Sequence, residues 1–186
     1  MKVIIFSAPS GAGKTTLVRH ILQSGLPLAF SISACTRNMR MCEKHGSDYY
    51  FMTVPEFKNH IERGDFVEWE EVYEGSYYGT LRSEIDRIWA TGCHVLFDVD
   101  VMGGLKLKEQ FGNKALAIFV KTPSVNELER RLINRSTDSA EIIQKRMAKA
   151  EYETEFASQF DHIVVNDCLE TAQKETMELV EKFISH

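Results

Sequence analysis

Residues 8–16 read Ala8-Pro9-Ser10-Gly11-Ala12-Gly13-Lys14-Thr15-Thr16, directly after the apolar run Val3-Ile4-Ile5-Phe6. A short, uninterrupted apolar run bounded by turn residues marks a strand buried on both faces. The glycines supply a tight turn. Lys14–Gln23 then reads as an amphipathic helix ending near Gly25. A strand, a glycine-rich turn and a helix starting at Lys-Thr make a cradle for phosphate. Glycine lets backbone N–H groups approach an anion closely, and the helix N-terminus adds unpaired donors and the positive end of its dipole.

The stretch fits the P-loop pattern G-x-x-x-x-G-K-[ST] with one departure, because Ala8 stands at the first glycine. Alanine satisfies that position only with a negative φ. Ala8 through Thr16 are therefore expected to hold the triphosphate of ATP. Lys14 reaches the β- and γ-phosphates, the Thr15 hydroxyl ligates Mg²⁺, and Thr16 supports.

The rest of the chain sets bounds on this reading. Its 186 residues suit one domain with small inserted lobes, and 44% hydrophobic residues are enough for a core. A net charge of −5 argues against general affinity for nucleic acid or an anionic membrane, so an anionic ligand must be held by locally grouped cations. Cys35, Cys42, Cys93 and Cys168 form no CxxC pair, which leaves out zinc spacing and a disulfide framework. The opening apolar run is too short for a signal peptide and no segment is long enough to cross a bilayer. Reduced thiols in a cytoplasmic protein are expected.

Apolar runs alternate with amphipathic stretches, which predicts an α/β fold with a central parallel sheet. Buried strands are expected at Lys2–Ser7, His94–Asp100, Ala115–Lys121 and His162–Asn166. Leu81, Ile85, Ile88 and Trp89 form a helical stripe stopped by Gly92. Ser124 and Glu127 form a capping box before a helix carrying Leu128 and Leu132. A Ser-Thr-Asp-Ser turn follows at 136–139, and Asp138 opens the next helix. The last helix is opened by Asp167 and Glu170, with Leu169, Ala172, Leu179 and Phe183 on its inner side. Residues 31–80 break the rhythm. They are aromatic and glycine-dotted with one short helix at Pro55–Arg63, and read as an inserted lobe of short strands.

That lobe carries Ser33-Ala-Cys-Thr-Arg37-Asn-Met-Arg40, then Asp48-Tyr49-Tyr50-Phe51, Phe66-Val67-Glu68-Trp69 and Tyr77-Tyr78-Gly79-Thr80. In order and spacing these resemble the guanylate kinase family: S-x-x-x-R-x-x-R, D-Y-x-F, F-[IV]-E-W and Y-Y-G-[ST]. The resemblance runs from the P-loop to Val164–Asp167. It implies a P-loop three-layer α/β/α fold with a small mixed β/α lobe for the nucleoside monophosphate and a helical lid. The corresponding division is a core of 1–30, 81–123 and 156–186, a GMP-binding lobe of 31–80 and a lid of 124–155.

The resemblance also implies roles. Arg37, Arg40, Tyr49 and Tyr78 hold the phosphate of GMP, while Ser33, Glu68 and Thr80 read the guanine. Chemistry supports this independently. Guanine presents N1–H beside an exocyclic NH₂, and one carboxylate accepts both, whereas adenine would leave a buried Glu68 unpaired. Arginine forks match phosphate oxygens. Glu70, Glu71 and Glu74 read as solvated charge.

Asp98 and Asp100, at i and i+2, are expected on one face at the C-terminal end of a buried strand, where an α/β sheet opens on its ligand. The resemblance assigns Asp98 to Mg²⁺ through water and Asp100 to the acceptor side. It also places Met102 where family members often carry glutamine. Arg131 and Arg135 share a helix face and Arg146 follows on the next helix, which suits a lid that neutralises a moving phosphoryl group. Salt bridging to Glu127 or Glu129 competes for Arg131. Asn166 matches a position that contacts the adenine of ATP, against a plain loop cap. The histidines show no ligand spacing, and no general base is needed, because a phosphate monoester with a second pKa near ~6 is already mostly dianionic.

The expected activity is Mg²⁺-dependent transfer of the ATP γ-phosphoryl group to GMP, giving GDP and ADP, by a monomer or homodimer with small-molecule substrates only. Lys14, Arg37, Asp98, Arg135 and Arg146 carry the chemistry. Two other classes stay open on sequence. A non-catalytic guanylate-kinase-like binding module would typically lack an intact P-loop. A P-loop kinase for a phosphorylated sugar would not need Ser33, Glu68 and Thr80 together.

Overall fold

The computed structural model describes residues 1–135 and 140–185, less the side chains of Arg135 and Ala140. β1 (Val3–Ser7) leads through the P-loop into α1 (Lys14–Leu22) and β2 (Leu28–Phe30). β3 (Ala34–Cys35), β4 (Tyr50–Phe51), α2 (Val54–Glu62), β5 (Phe66–Tyr73) and β6 (Ser76–Leu81) follow. The chain then runs α3 (Arg82–Ala90), β7 (His94–Asp98), α4 (Val101–Phe111), β8 (Ala115–Lys121), α5 (Val125–Arg135), α6 (Ala140–Glu155), β9 (His162–Val165) and α7 (Leu169–Ser185).

Five strands form one sheet in the order β2-β7-β1-β8-β9, and every pairing is parallel. Alternation along β1 divides the core. Val3 and Ile5 join Phe97 and Phe119 under α3 and α4, where Ile85, Ile88 and Leu107 pack. Ile4 and Phe6 join Leu96 and Ile118 under α1 and α7, where Leu17, Ile21, Ala172 and Val180 pack. Helices on both faces of a parallel sheet make the expected three-layer α/β/α architecture. A second sheet, β4-β3-β6-β5, has its own small core of Phe57, Phe66 and Tyr77. Thr53 caps α2 with a reciprocal Glu56 box that sequence reading passed over.

Five sequence expectations change, the first being that β9 is an edge strand in which only Val164 is buried. β7 stops at Asp98, and Asp100 is instead the N-cap of α4, its Oδ1 accepting the Gly103 N–H at 2.7 Å. Helix α4 and the short edge strand β2 were not anticipated. Leu169 is exposed, because the inward stripe of α7 is Ala172, Thr176 and Val180. Glu70 is not simply solvated, for it pairs with Lys106 at 2.5 Å. The Ser136–Ser139 turn and the Asp138 cap lie outside the described residues.

Two glycines of α4 explain its tight seat on β1. A Cβ at Gly104 would collide with Ser7 Oγ, and one at Gly103 would press on Glu68 Oε2 at 2.9 Å. The P-loop is equally demanding. Gly11 and Gly13 have φ of 94° and 92°, and among the described residues no non-glycine has a positive φ. Ala8 therefore satisfies its turn without strain, and its methyl group is buried in the α1–α7 core. Replacing Ala8 by glycine removes that packing and loosens the unfolded chain. Ala8→Gly is expected to lose about 1 kcal/mol, read as a drop of a few degrees in Tm, with the KM for ATP unchanged.

Candidate active site

β1 and β7 are neighbours, with Phe6 opposite Asp98. This register carries the P-loop and Asp98 to the same end of the sheet, the C-terminal edge where α/β sheets bind ligands. Lys14 leaves the first turn of α1 and is held there. Its Nζ is ion-paired with the Asp98 carboxylate and donates to the Val99 carbonyl at 2.7 Å. The Thr15 hydroxyl sits 3.5 Å from Asp98 Oδ2. The α1 N-terminus, with Gly13 as N-cap and no side-chain cap, leaves its backbone donors facing the cleft mouth.

The cleft has a volume of about 450 Å³. Ala8, Pro9, Ser10, Gly11, Gly13, Lys14, Thr15 and Thr16 line one end, and Ser33, Tyr49, Glu68 and Tyr78 the other. Asp98, Asp100 and, from α6, Arg146 line it as well. Residues 17 to 70 positions apart in sequence thus line one cavity.

Glu68 is the most unusual group in it. The carboxylate is 6% exposed and its Oε1 accepts the Thr80 hydroxyl at 2.7 Å. Burial pushes its pKa up to about 7, Asp100 and Glu70 add repulsion, and the Thr80 bond offsets part of this. Thr80 is fully buried and serves the site through Glu68. Strand alternation places Glu68 inward between half-buried Val67 and exposed Trp69, as spacing predicted. Glu70, two residues on, lines the same cleft.

Tyr49 and Tyr78 meet edge to face at 6.1 Å. The Arg37 guanidinium lies over the Tyr49 ring at 4.8 Å and is ion-paired with Glu43 at 2.6 Å. Arg40 is exposed on the adjoining turn. Neither arginine is among the residues lining the cleft; Arg37 sits behind its tyrosine wall.

The arginines expected of a lid divide. Arg146 lines the cleft. Arg135 ends α5, and its side chain lies outside the described residues. Arg131 takes the competing role anticipated for it, with Nε donating to Glu127 Oε1 at 2.7 Å and Nη2 to the Asn166 carbonyl at 3.0 Å. Asn166 is buried, and its Nδ2 donates to the Ala12 carbonyl at 2.8 Å. This bond ties its side chain to the P-loop, and Asn166 is not among the residues that line the cleft. Sequence reading missed Tyr73, Lys149 and Glu153, which also line the cavity. Lys149 stands 4.9 Å over the Tyr73 ring and 3.7 Å from Glu153, linking α6 to β5. The i+3 step from Arg146 to Lys149 and the i+4 step from Lys149 to Glu153 were the available signal, since they put all three near one helix face.

Comparison with known proteins is consistent with this arrangement. The family model described as guanylate kinase matches residues 1–183. A Bacteroides thetaiotaomicron protein named guanylate kinase is 50% identical over 184 residues, covering 99% of this chain and 90% of the relative. A Porphyromonas gingivalis guanylate kinase is 47% identical over 185 residues, covering 99% and 98%. The crystal structure of guanylate kinase from Anaplasma phagocytophilum superposes with a TM-score of 0.76 at 26% identity, covering 97% of this chain and 85% of that one.

The raised pKa of Glu68 has a consequence for stability. Its folded value of about 7 lies above the ordinary carboxylate range, so the folded chain binds this proton more tightly than the unfolded chain. Stability therefore falls as pH rises through that interval, and the penalty is complete above about 7. Glu68→Gln is expected to raise Tm relative to the parent at pH 8. The advantage should vanish as pH falls through the window, as followed by thermal melts across pH.

Proposed function

The chain belongs to the guanylate kinase family, and on that premise we propose how its own residues divide the transfer of the ATP γ-phosphoryl group to GMP. The enzyme is a nucleoside monophosphate kinase whose products are GDP and ADP. In this reading residues 1–30, 81–123 and 156–186 form the core, 31–80 the GMP lobe and 124–155 the lid. The observation that carries the division is a buried carboxylate, Glu68, facing the same cleft as the P-loop.

The P-loop backbone and Lys14 receive the triphosphate. The ion pair to Asp98 and the bond to the Val99 carbonyl hold the lysine at the cradle before ATP arrives. Glu68 and Ser33 receive the guanine. Thr80 fixes the Glu68 carboxylate through Oε1, and the anion accepts N1–H and the 2-amino group. Adenine offers no such donor pair and would leave the buried charge unmatched, a difference on the order of 10⁴-fold in efficiency. Tyr49, Tyr78, Arg37 and Arg40 receive the acceptor phosphate. Arg146 and Arg135 neutralise charge moving between the nucleotides, and Arg131 and Asn166 brace the P-loop. The acceptor needs no deprotonation, so alignment and charge neutralisation carry the rate.

Thr15 and Asp98 present hard oxygen donors 3.5 Å apart at the cradle mouth, and among the described residues no cluster of three His, Cys, Asp or Glu exists. That donor set fits Mg²⁺, which takes one or two protein oxygens and completes its shell with phosphate and water. When bound, the ion supplies charge neutralisation at the β- and γ-phosphates. Among the described residues no helix is long and apolar enough to cross a membrane. The reading is completed by small-molecule partners only, a cytoplasmic location and a monomer or homodimer.

An ADP-release assay with GMP, AMP and ribose 5-phosphate as acceptors tests the reading. GMP alone should support turnover, and equal rates with AMP would overturn guanine readout. Lys14→Met should lower kcat by about 10³-fold with the fold intact, by analogy with loss of one preorganised donor to developing charge. For the parent, the KM for GMP should rise as pH falls below about 7, where Glu68 protonates, with the KM for ATP flat.

A further inference from the structure

Arg37 has a partner to which the reading above gives no task. Its Nη1 donates to Glu43 Oε2 and its Nη2 to Glu43 Oε1, both at 2.6 Å. Nη1 also donates to the Asn38 carbonyl at 3.0 Å. Glu43 is itself fixed, since Oε2 accepts the Arg40 N–H at 2.9 Å and the Glu43 N–H donates to the Arg40 carbonyl at 3.0 Å. Both side chains are largely covered, 18% and 16% exposed. The guanidinium carbon lies over the Tyr49 ring at 4.8 Å and the Phe51 ring at 5.4 Å. The hydrogen bonds from Arg37 and from the Arg40 N–H hold the Glu43 carboxyl down at about 2, so it stays an anion at working pH.

The donor geometry of arginine gives this grip a meaning. A guanidinium has five N–H groups in one plane. Glu43 takes one from each terminal nitrogen, and Asn38 takes the other one on Nη1. Nε–H and the second N–H of Nη2 lie together on the adjoining edge, a fork matched to two oxygens of a phosphate. The positive charge of Arg37 also acts on the Tyr78 hydroxyl, on a residue that lines the cleft. Contact with the two rings limits where the guanidinium can sit, and the end-on carboxylate sets its orientation.

We infer that Glu43 is a positioning residue for the acceptor phosphate: its end-on grip presents the Nε–Nη2 edge of Arg37 to the phosphate of GMP. The inference rests on the reading of Arg37 as a phosphate ligand. A carboxylate in this place has one rival role. As a competitor it would occupy Arg37 until phosphate displaced it, and its removal would tighten GMP. As a positioner it spares GMP the ordering of a long side chain, and its removal weakens GMP.

The test compares Glu43→Ala, Glu43→Gln, Arg37→Ala and the double variant Arg37→Ala/Glu43→Ala. It measures the KM for GMP, the KM for ATP, kcat and calorimetric binding of guanosine, which has the base without the phosphate. Glu43→Ala should raise the KM for GMP about tenfold, the cost of ordering one rotamer-rich side chain on binding. Guanosine affinity and the KM for ATP should stay within about twofold. Glu43→Gln, which keeps the shape but loses the charge, should fall between Glu43→Ala and the parent. The double variant should be no worse for GMP than Arg37→Ala. An unchanged or lower KM for GMP in Glu43→Ala overturns the inference. So does an equal loss for GMP and guanosine, which would mark a loosened lobe. If Arg37→Ala itself leaves GMP unaffected, the phosphate role of Arg37 falls first and the inference falls with it.

Discussion

Two bare backbone positions, Gly11 and Gly13, are where most of this molecule meets. Both hold left-handed φ values. A side chain at 11 would press on Leu132 at 3.0 Å and Leu128 at 3.3 Å of α5, and one at 13 would strike the Asn166 amide. The missing Cβ atoms therefore do two things. They turn the loop so that α1 begins with open N–H donors, and they let α5 and the segment after β9 seat directly against it. Asn166 clamps Ala12 from below, and Arg131 reaches from α5 to the Asn166 carbonyl. The P-loop and α5 are thus one packed unit, built on the absence of two methyl groups.

The same economy governs charge. With a net charge of −5 the chain has no general attraction for anions, and its cations near the cleft are each held locally. Lys14 is held by Asp98 and Val99, Arg37 by Glu43 and two aromatic rings, and Arg131 by Glu127. Glu68 is the opposite case. It is an acid kept in a poorly solvated place, satisfied on one oxygen by Thr80. That position costs the fold stability at neutral pH and leaves the second oxygen for a ligand with matching donors.

Much of this was legible in the sequence, for identifiable reasons. β1, β7 and β8 are continuous apolar runs, and such runs belong to strands covered on both faces. The P-loop and Glu68 were readable because glycine spacing and strand alternation are local rules. What escaped was non-local or weakly patterned. β2 has three residues, all half-buried at the sheet edge, too short to show a period. α4 starts Val101-Met-Gly-Gly104, and paired glycines lower helix propensity while serving contacts with Ser7 and Glu68 that no local rule contains. That helix is also why Asp100 became a cap. Leu169 misled because a leucine in the first turn resembles the start of a stripe, yet the sheet is met by Ala172, Thr176 and Val180. Glu43 and Asn166 carry no periodic signal, and their roles exist only after distant segments come together.

The central claim is that the cradle and the Glu68 pocket face one another so that phosphorus passes from one nucleotide to the other without release. Phosphorus NMR of the purified enzyme with ATP, GMP and Mg²⁺ tests this most directly. The account predicts that the γ resonance of ATP is replaced by the β resonance of GDP, with no inorganic phosphate and no such product when AMP replaces GMP. Loss of the γ-phosphorus to inorganic phosphate, or equal transfer to AMP, would contradict it.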